Sequence, residues 1–128
     1  MSEVQAWHAL SPPVAELAWA RFVVRSGRRV RFVRAGEIDW VEAQGDYVGL
    51  HAGRDCFLLR ETIAAMERRL ASRSFARIHR SSIVNLDSVV ELRSVDNGDY
   101  QVFLRTGAEL RLSRTYRAHL GRLVGGRL

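Results

Sequence analysis

Residues 77–85 read RIHRSSIVN. Three of them, Ile78, Ile83 and Val84, are apolar and are candidates for a buried core. The other six are polar, each can donate a hydrogen bond, and none is a carboxylate. This composition fits a polar patch inside a fold, a catalytic arrangement of histidine and serine, or a surface that meets a negatively charged partner.

On the N-terminal side of this stretch, apolar residues recur at helical spacing. Intervals of four, three and four residues separate Leu59, Ile63, Met66 and Leu70. Such intervals place the four side chains on one face of an amphipathic α-helix. We therefore predict a helix over about residues 61–71.

On the C-terminal side, the pattern changes to that of strands. Residues 88–95 and 99–105 are joined by the sequence Asp-Asn-Gly, and Asn-Gly between such runs is a strong signal for a β-hairpin. Residues 109–113 alternate between apolar and polar side chains and predict a further strand. Helical spacing returns in residues 114–124, with Ser113 as a candidate N-cap.

Five further strands are predicted before the internal helix. They cover residues 20–25, 29–34, 38–43, 46–51 and 55–59. Short runs of apolar and β-branched residues separated by glycine-containing turns are typical of antiparallel sheets. The chain is therefore expected to be mainly β, with one short internal helix and a C-terminal helix.

The length of 128 residues suits one domain. We assign residues 1–19, which contain Pro12 and Pro13, to an N-terminal extension or linker, and residues 20–128 to the domain. The single cysteine, Cys56, excludes a disulfide scaffold and a cysteine-rich zinc site. Because the chain shows neither a membrane-spanning apolar run nor a signal-peptide pattern, a cytoplasmic location is expected.

The charge of the chain indicates a negatively charged partner. The formal net charge is +6, and all 20 basic side chains are arginines. Arginine is the better bidentate partner for phosphate and for the edge of guanine. The arginines are dispersed and do not form one basic amphipathic helix, which favours nucleic acid over a membrane surface.

The sequence offers little support for catalysis or for a cofactor. His79, Ser81 and Asp87 lie close together in the chain, but a catalytic triad is defined by geometry, and the Gly-x-Ser-x-Gly motif is absent. The four histidines are His8, His51, His79 and His119. None of them has a second histidine or a cysteine at metal-binding spacing. Glycine-rich phosphate loops are also absent. We predict a protein that is not an enzyme and that has no metal site and no cofactor.

A second basic group, SRTYR, occupies residues 113–117, where the last predicted strand becomes the C-terminal helix. Backbone N–H groups at a helix N-terminus can bind phosphate, and arginine side chains can bind phosphate or base edges. The alternative, in which the arginines are solvated or pair with some of the 14 acidic residues, is equally compatible with the composition.

Several blocks of this sequence resemble the LytTR family, the DNA-binding domain of many bacterial response regulators. Residues 75–89, FARIHRSSIVNLDSV, are similar to the family pattern F-x-R-x-H-R-S-x-(I/V)-V-N. Residues 38–51 and 58–70 resemble the opening block and the helix that follows it. Residues 99–120 resemble the closing strands and include the S-R-x-Y signature. The resemblance is strongest over residues 36–122.

The resemblance implies antiparallel sheets packed in layers, with loops rather than a recognition helix entering the major groove of double-stranded DNA. It also implies a transcriptional regulator that binds direct-repeat sites as two copies and bends the DNA. A separate regulatory protein is a further expected partner. Membrane insertion is not expected.

The same resemblance assigns roles to individual residues. Arg80 and Arg114 occupy the positions of base-reading loops. The neighbouring positions suited to phosphate are occupied by His79, Ser81 and Arg117. Asn85 is expected to be structural and to bind backbone groups in a turn.

A third DNA loop is expected at Asp46, Tyr47 and Val48. It contains an acidic residue and no basic one, so it is expected to read DNA weakly or only to support the fold. The main alternative for the whole domain is a protein-interaction module that uses its basic face to bind an acidic partner. The steep salt dependence and sequence selectivity of DNA binding would separate the two hypotheses.

Overall fold

The computed structural model of the protein describes residues 21–71, 74–126 and 128. The predicted extension at residues 1–19 lies outside the described residues. The described strands are β1 (Arg21–Ser26), β2 (Arg29–Arg34), β3 (Trp40–Gln44), β4 (Tyr47–Ala52), β5 (Asp55–Leu59), β6 (Phe75–His79), β7 (Ser82–Asn85), β8 (Val89–Ser94), β9 (Tyr100–Leu104) and β10 (Glu109–Leu112). The described α-helices are α1 (Ile63–Arg69) and α2 (Arg114–Val124).

The strands form three antiparallel sheets. The central sheet has five strands in the order β5-β4-β3-β7-β6, a second sheet contains β8, β9 and β10, and β1 pairs with β2. One face of the central sheet packs against the β1–β2 hairpin and α1, and the other packs against the three-stranded sheet and α2. Adjacent residues of β7 serve different faces, since Ile83 is in the first core and Val84 in the second. The prediction of a mainly β fold with layered antiparallel sheets is confirmed.

The RIHRSSIVN stretch forms most of a hairpin, β6–β7, that the sequence patterns did not predict. The strand ladder shifts register between Arg77 and His79, so Ile78 is an extra residue in β6. The apolar residues expected to be core are all buried, namely Ile78, Ile83 and Val84, and Phe75 at the start of β6 is buried as well. Their burial holds the polar turn of the hairpin, Arg80-Ser81, at the end of the central sheet.

The internal helix is shorter than predicted but lies in the predicted place. Its N-cap is Thr62, whose hydroxyl accepts a hydrogen bond from the backbone N–H of Ala65 at 3.0 Å. Met66 and Leu70 are fully buried on its inner side. Within the described residues, none of the helices combines the length and the apolar character that crossing a bilayer requires.

The first hairpin, β1–β2, packs on the central sheet as a separate layer and extends neither larger sheet. Its inner side places Phe22, Val24 and Val33 in the first core. Its outer side leaves Val23 and Phe32, which are cross-strand partners, exposed to solvent. The hairpin therefore thickens the domain on the face that also carries α1.

Candidate functional site

One end of the central sheet, which we call the loop end, gathers several turns. It comprises the β3–β4 turn at Gly45-Asp46, the β6–β7 turn at Arg80-Ser81, the β8–β9 turn at Asp96–Gly98 and the start of α2 at Arg114. The first two turns are neighbours because β3 and β7 are antiparallel partners. A backbone hydrogen bond of 2.9 Å from Ala43 N–H to the carbonyl of Ser81 joins them directly.

A hydrogen bond to Ile78, the extra residue of β6, holds the start of α2 at the loop end. The carbonyl of Ile78 accepts a hydrogen bond of 2.9 Å from the backbone N–H of Ser113, the residue before α2. The fold thus brings together the predicted base-reading residues Arg80 and Arg114, which are far apart in the chain. Both side chains are exposed.

The loop end also includes the β8–β9 turn, which the sequence predicted as the turn of a hairpin but not as part of a site. A side-chain carbon added at Gly98 would lie 3.6 Å from Arg114 Cβ and 3.6 Å from Arg117 Nη1. Asp99, which follows the turn, accepts a hydrogen bond of 3.0 Å from the backbone N–H of Arg114 through Oδ1. Its Oδ2 pairs with Arg111 Nη1 at 3.2 Å.

The first backbone N–H of α2 is bound by the side chain of Asp99 rather than by that of Ser113. Ser113 occupies the N-cap position of α2, but its side chain makes no capping hydrogen bond. The carboxylate of Asp99 supplies the acceptor instead, and it places a negative charge at the positive end of the helix. The backbone N–H of Arg114 is therefore already bound within the protein, which limits this helix terminus as a phosphate site.

His79 and Ser81 bind each other across the β6–β7 turn. The backbone N–H of Ser81 donates to His79 Nδ1 at 3.2 Å, and the Ser81 hydroxyl lies 2.9 Å from the same nitrogen. Because Nδ1 accepts, the proton of the neutral imidazole is on Nε2, on the other side of the ring. Asp87, the residue considered for a triad, follows β7 at the opposite end of that strand and accepts a hydrogen bond from Ser74.

The third predicted phosphate contact, Arg117, is partly buried within the protein. Its Nη2 donates to the carbonyl of Leu128 at 2.8 Å, and its guanidinium carbon lies 5.6 Å from the centre of the Tyr100 ring. A guanidinium has five N–H donors, so these contacts leave capacity for a further acceptor. Arg117, Arg114 and Arg122 line an open groove along α2.

The third predicted loop is only partly available to a partner. Asp46 lies in the β3–β4 turn and is exposed, and Tyr47 is 41% exposed with Arg60 near its ring face. Val48 is fully buried in the first core, so of the two roles expected for this loop its side chain has the one that supports the fold. The alternation of β4 turns Val48 inward, next to the outward-facing Tyr47.

Asn85 is buried at the end of β7 and binds backbone groups on both sides. Its Nδ2 donates to the carbonyl of Ile38 at 2.9 Å, and its Oδ1 accepts from the backbone N–H of Asp87 at 3.0 Å. The Ser74 hydroxyl donates to the same oxygen at 3.4 Å. These bonds connect the segment before β3 with the turn after β7.

Arg77 is the site residue that sequence reasoning missed. Its side chain is only 13% exposed and lies under the β6–β7 turn. Nε donates to the carbonyl of His79 at 2.9 Å, and Nη2 donates to the carbonyl of Arg80 at 2.6 Å. The family pattern includes an arginine at this position, but it does not indicate these contacts, because they depend on the register shift in β6.

A second polar cluster lies elsewhere on the central sheet, on β3, β4 and β5. The ring of His51 stacks on Trp40, and its Nε2 lies 3.0 Å from Glu42 Oε1 and 3.8 Å from Cys56 Sγ. Partial burial raises the pKa of the Cys56 thiol above its ordinary value, and the Glu42 carboxylate raises it further. A raised pKa disfavours the thiolate, which is the form that a cysteine nucleophile requires.

A family model for the LytTr DNA-binding domain matches residues 28–125. The chain belongs to the LytTR family. Two relatives are the sensory transduction protein LytT of Bacillus anthracis, 32% identical over 85 residues, and the transcriptional regulatory protein BtsR of Escherichia coli K12, 30% identical over 108 residues. These alignments cover 61% and 82% of this chain but only 35% and 44% of the relatives. This chain therefore spans less than half the length of either relative.

A solved structure of a LytTr DNA-binding domain from Bacillus cereus has the same fold. The TM-score is 0.76, and the match covers 83% of this chain and 97% of that domain at 19% sequence identity. The layered architecture of the LytTR domain is therefore retained here at low sequence identity.

In this LytTR domain, we expect Asp99→Ala to lower the free energy of unfolding by about 0.5–2 kcal/mol, because the first N–H of α2 and Arg111 both lose their carboxylate acceptor. The measurement is urea denaturation. Asp96→Ala is the matched control, since it removes the same charge from an exposed position in the adjacent turn. Equal losses in the two variants would show that Asp99 does not cap α2.

Proposed function

We propose that this protein is a bacterial transcriptional regulator that binds double-stranded DNA sequence-specifically through its loop end. The observation that carries the proposal is the placement of two exposed arginines, Arg80 and Arg114, on adjacent segments at one end of the central sheet. Arginine donates bidentately to the O6 and N7 atoms of guanine in the major groove. Turns of this size can enter that groove, which also admits β-ribbons.

Phosphate contacts would surround the two base-reading arginines. His79 would donate from Nε2, because its Nδ1 is already bound to Ser81. Ser81 would contribute its hydroxyl group, and Arg117 would contribute the N–H groups that do not bind Leu128. Such contacts fix the register of the protein on the duplex but carry no sequence information directly.

Of the turns at the loop end that were expected to contact DNA, the β3–β4 turn has the charge least favourable for that contact. Asp46 would repel phosphate, whereas Tyr47 offers a hydroxyl group and a ring face. We infer that this turn contributes weakly to binding, through Tyr47 alone.

Family resemblance extends the proposal to paired direct-repeat sites, each occupied by one copy of the domain, with bending of the DNA. In this view the protein acts in the cytoplasm, and a separate regulatory protein controls its activity. Bending costs free energy that the contacts of two domains offset, and that cost depends on the sequence between the repeats.

Selection of bound fragments from a random pool of duplex DNA tests the proposal with the full chain. We expect enrichment of a repeated motif containing guanine, with affinity that falls steeply as salt rises. Each phosphate that a cationic side chain neutralises would contribute about −0.9 to the slope of log K against log salt concentration. Enrichment of no motif, together with tight binding to an acidic protein, would favour the protein-interaction alternative instead.

A further inference from the structure

Arg77 contacts the β6–β7 turn and side chains on both α1 and α2. Besides the carbonyls of His79 and Arg80, its Nη1 binds Glu67 Oε1 on α1 at 2.9 Å. Its guanidinium carbon lies 5.7 Å from the centre of the Tyr116 ring on α2. One buried guanidinium therefore connects α1, the turn that carries Arg80 and the helix that carries Arg114.

The geometry of these contacts requires a planar fork. Two consecutive carbonyls of the turn point toward Arg77 and take separate N–H groups of the same guanidinium. A lysine ammonium carries the same charge, but it is a compact point donor on a flexible stem and cannot hold both carbonyls and an aromatic face in one plane. The conformation of the turn thus depends on the shape of the Arg77 side chain as well as on its charge.

Tyr116 extends this dependence to the second base-reading position. It lies two residues after Arg114, in the first turns of α2, so its ring fixes that helix end relative to Arg77. Glu67 is 42% exposed, and water competes for its carboxylate, so its pair with Arg77 mainly orients the guanidinium.

We propose that Arg77 is a positioning residue for DNA recognition: it holds Arg80 and Arg114 at the relative placement that sequence-specific binding requires. This inference rests on the proposed function. Arg77 itself does not touch the DNA, because its side chain is largely buried beneath the turn. Its loss would affect contacts that depend on accurate placement, such as bidentate base contacts, more than contacts with the uniform phosphate backbone.

The test compares Arg77→Lys with the wild-type full chain, using the affinity for the selected site and for unrelated duplex DNA. We expect the affinity for the selected site to fall roughly tenfold, while the affinity for unrelated DNA stays within about twofold, because phosphate contacts tolerate small shifts. The measurements are made well below the unfolding temperature of each variant, so that a loss of stability alone leaves the ratio of the two affinities unchanged.

Arg69→Lys is the matched control. Arg69 also forms an ion pair, with Glu61 at 3.5 Å, and lies 4.4 Å from the centre of the Phe22 ring. Its guanidinium lies against Phe22 of the β1–β2 hairpin rather than under the β6–β7 turn. We expect Arg69→Lys to weaken this ion pair and this ring contact but to leave the ratio of affinities as in the wild type.

Tyr116→Leu provides a second variant that keeps an apolar side chain on α2 and removes the ring under the Arg77 guanidinium. We expect Tyr116→Leu to lower the ratio of the affinity for the selected site to the affinity for unrelated DNA several-fold. If Arg77→Lys does not fold, the proposal is tested with this variant. An unchanged ratio in the folded variants would overturn the positioning role. Wild-type protein that binds no selected site would instead overturn the proposed function.

Discussion

Replacement of Arg80 and Arg114 by alanine is expected to remove sequence-specific DNA binding while weaker, non-specific association persists. Each single substitution should cost about 1–3 kcal/mol at the preferred site, since a bidentate contact with a base is lost. If the two contacts are independent, the double variant should lose about 2–6 kcal/mol, which approaches the whole difference between specific and non-specific binding in many DNA-binding proteins. Electrophoretic shift or anisotropy titrations with the selected site and with scrambled DNA measure both quantities.

Arg54→Ala is the matched control for this experiment. Arg54 is exposed in the β4–β5 turn, at the end of the central sheet opposite the loop end. Its removal lowers the positive charge of the domain by the same amount, so it should weaken both DNAs slightly and equally. A loss of specific affinity for Arg54→Ala as large as that for Arg80→Ala would mean that net charge, rather than the loop end, determines recognition.

Asn85→Ala is expected to lower the free energy of unfolding by about 2–5 kcal/mol. The substitution leaves the carbonyl of Ile38 and the backbone N–H of Asp87 without their present partner. Each polar group left unsatisfied in a buried position costs about 1–3 kcal/mol. Because small domains are stable by only about 5–15 kcal/mol, a large part of the stability would be lost. Denaturant unfolding followed by circular dichroism gives the value.

Ser74→Ala separates this effect from a general weakening of the same corner. Ser74 is exposed, and its hydroxyl makes the longest of the bonds to Asn85, at 3.4 Å. Its removal should cost less than about 0.5 kcal/mol, as expected for a surface position. Similar losses for Asn85→Ala and Ser74→Ala would show that the buried amide does not stabilise the junction between β3 and β7.

Periodicity predicted strands and helices well where one side of an element faces a core. The intervals between Ile63, Met66 and Leu70 predicted the internal helix, and Asp-Asn-Gly predicted the β8–β9 hairpin. The same reasoning failed to assign β6 and β7, because the turn and the extra residue Ile78 interrupt any regular alternation. A register shift changes which side each residue faces, and only pairing with the neighbouring strand reveals it.

For a related reason, the sequence predicted the placement of some residues of the candidate site but not of others. The family pattern identified Arg80 and Arg114, and the fold places both at the loop end. The sequence did not separate Val48 from Tyr47, because two adjacent residues of a strand face opposite sides and the boundary between turn and strand decides which of them is exposed.

By itself, the sequence determined the class of fold, most of its elements, the family and the basic character of two segments of the loop end, since each of these depends on local spacing, composition or a contiguous motif. Only the tertiary structure decided that Arg77 supports the β6–β7 turn and that Asp99 caps α2. Those contacts join segments that are distant in the chain. They form because hydrophobic burial packs the sheets and helices together, and the hydrogen-bond partners of a polar side chain depend on that packing.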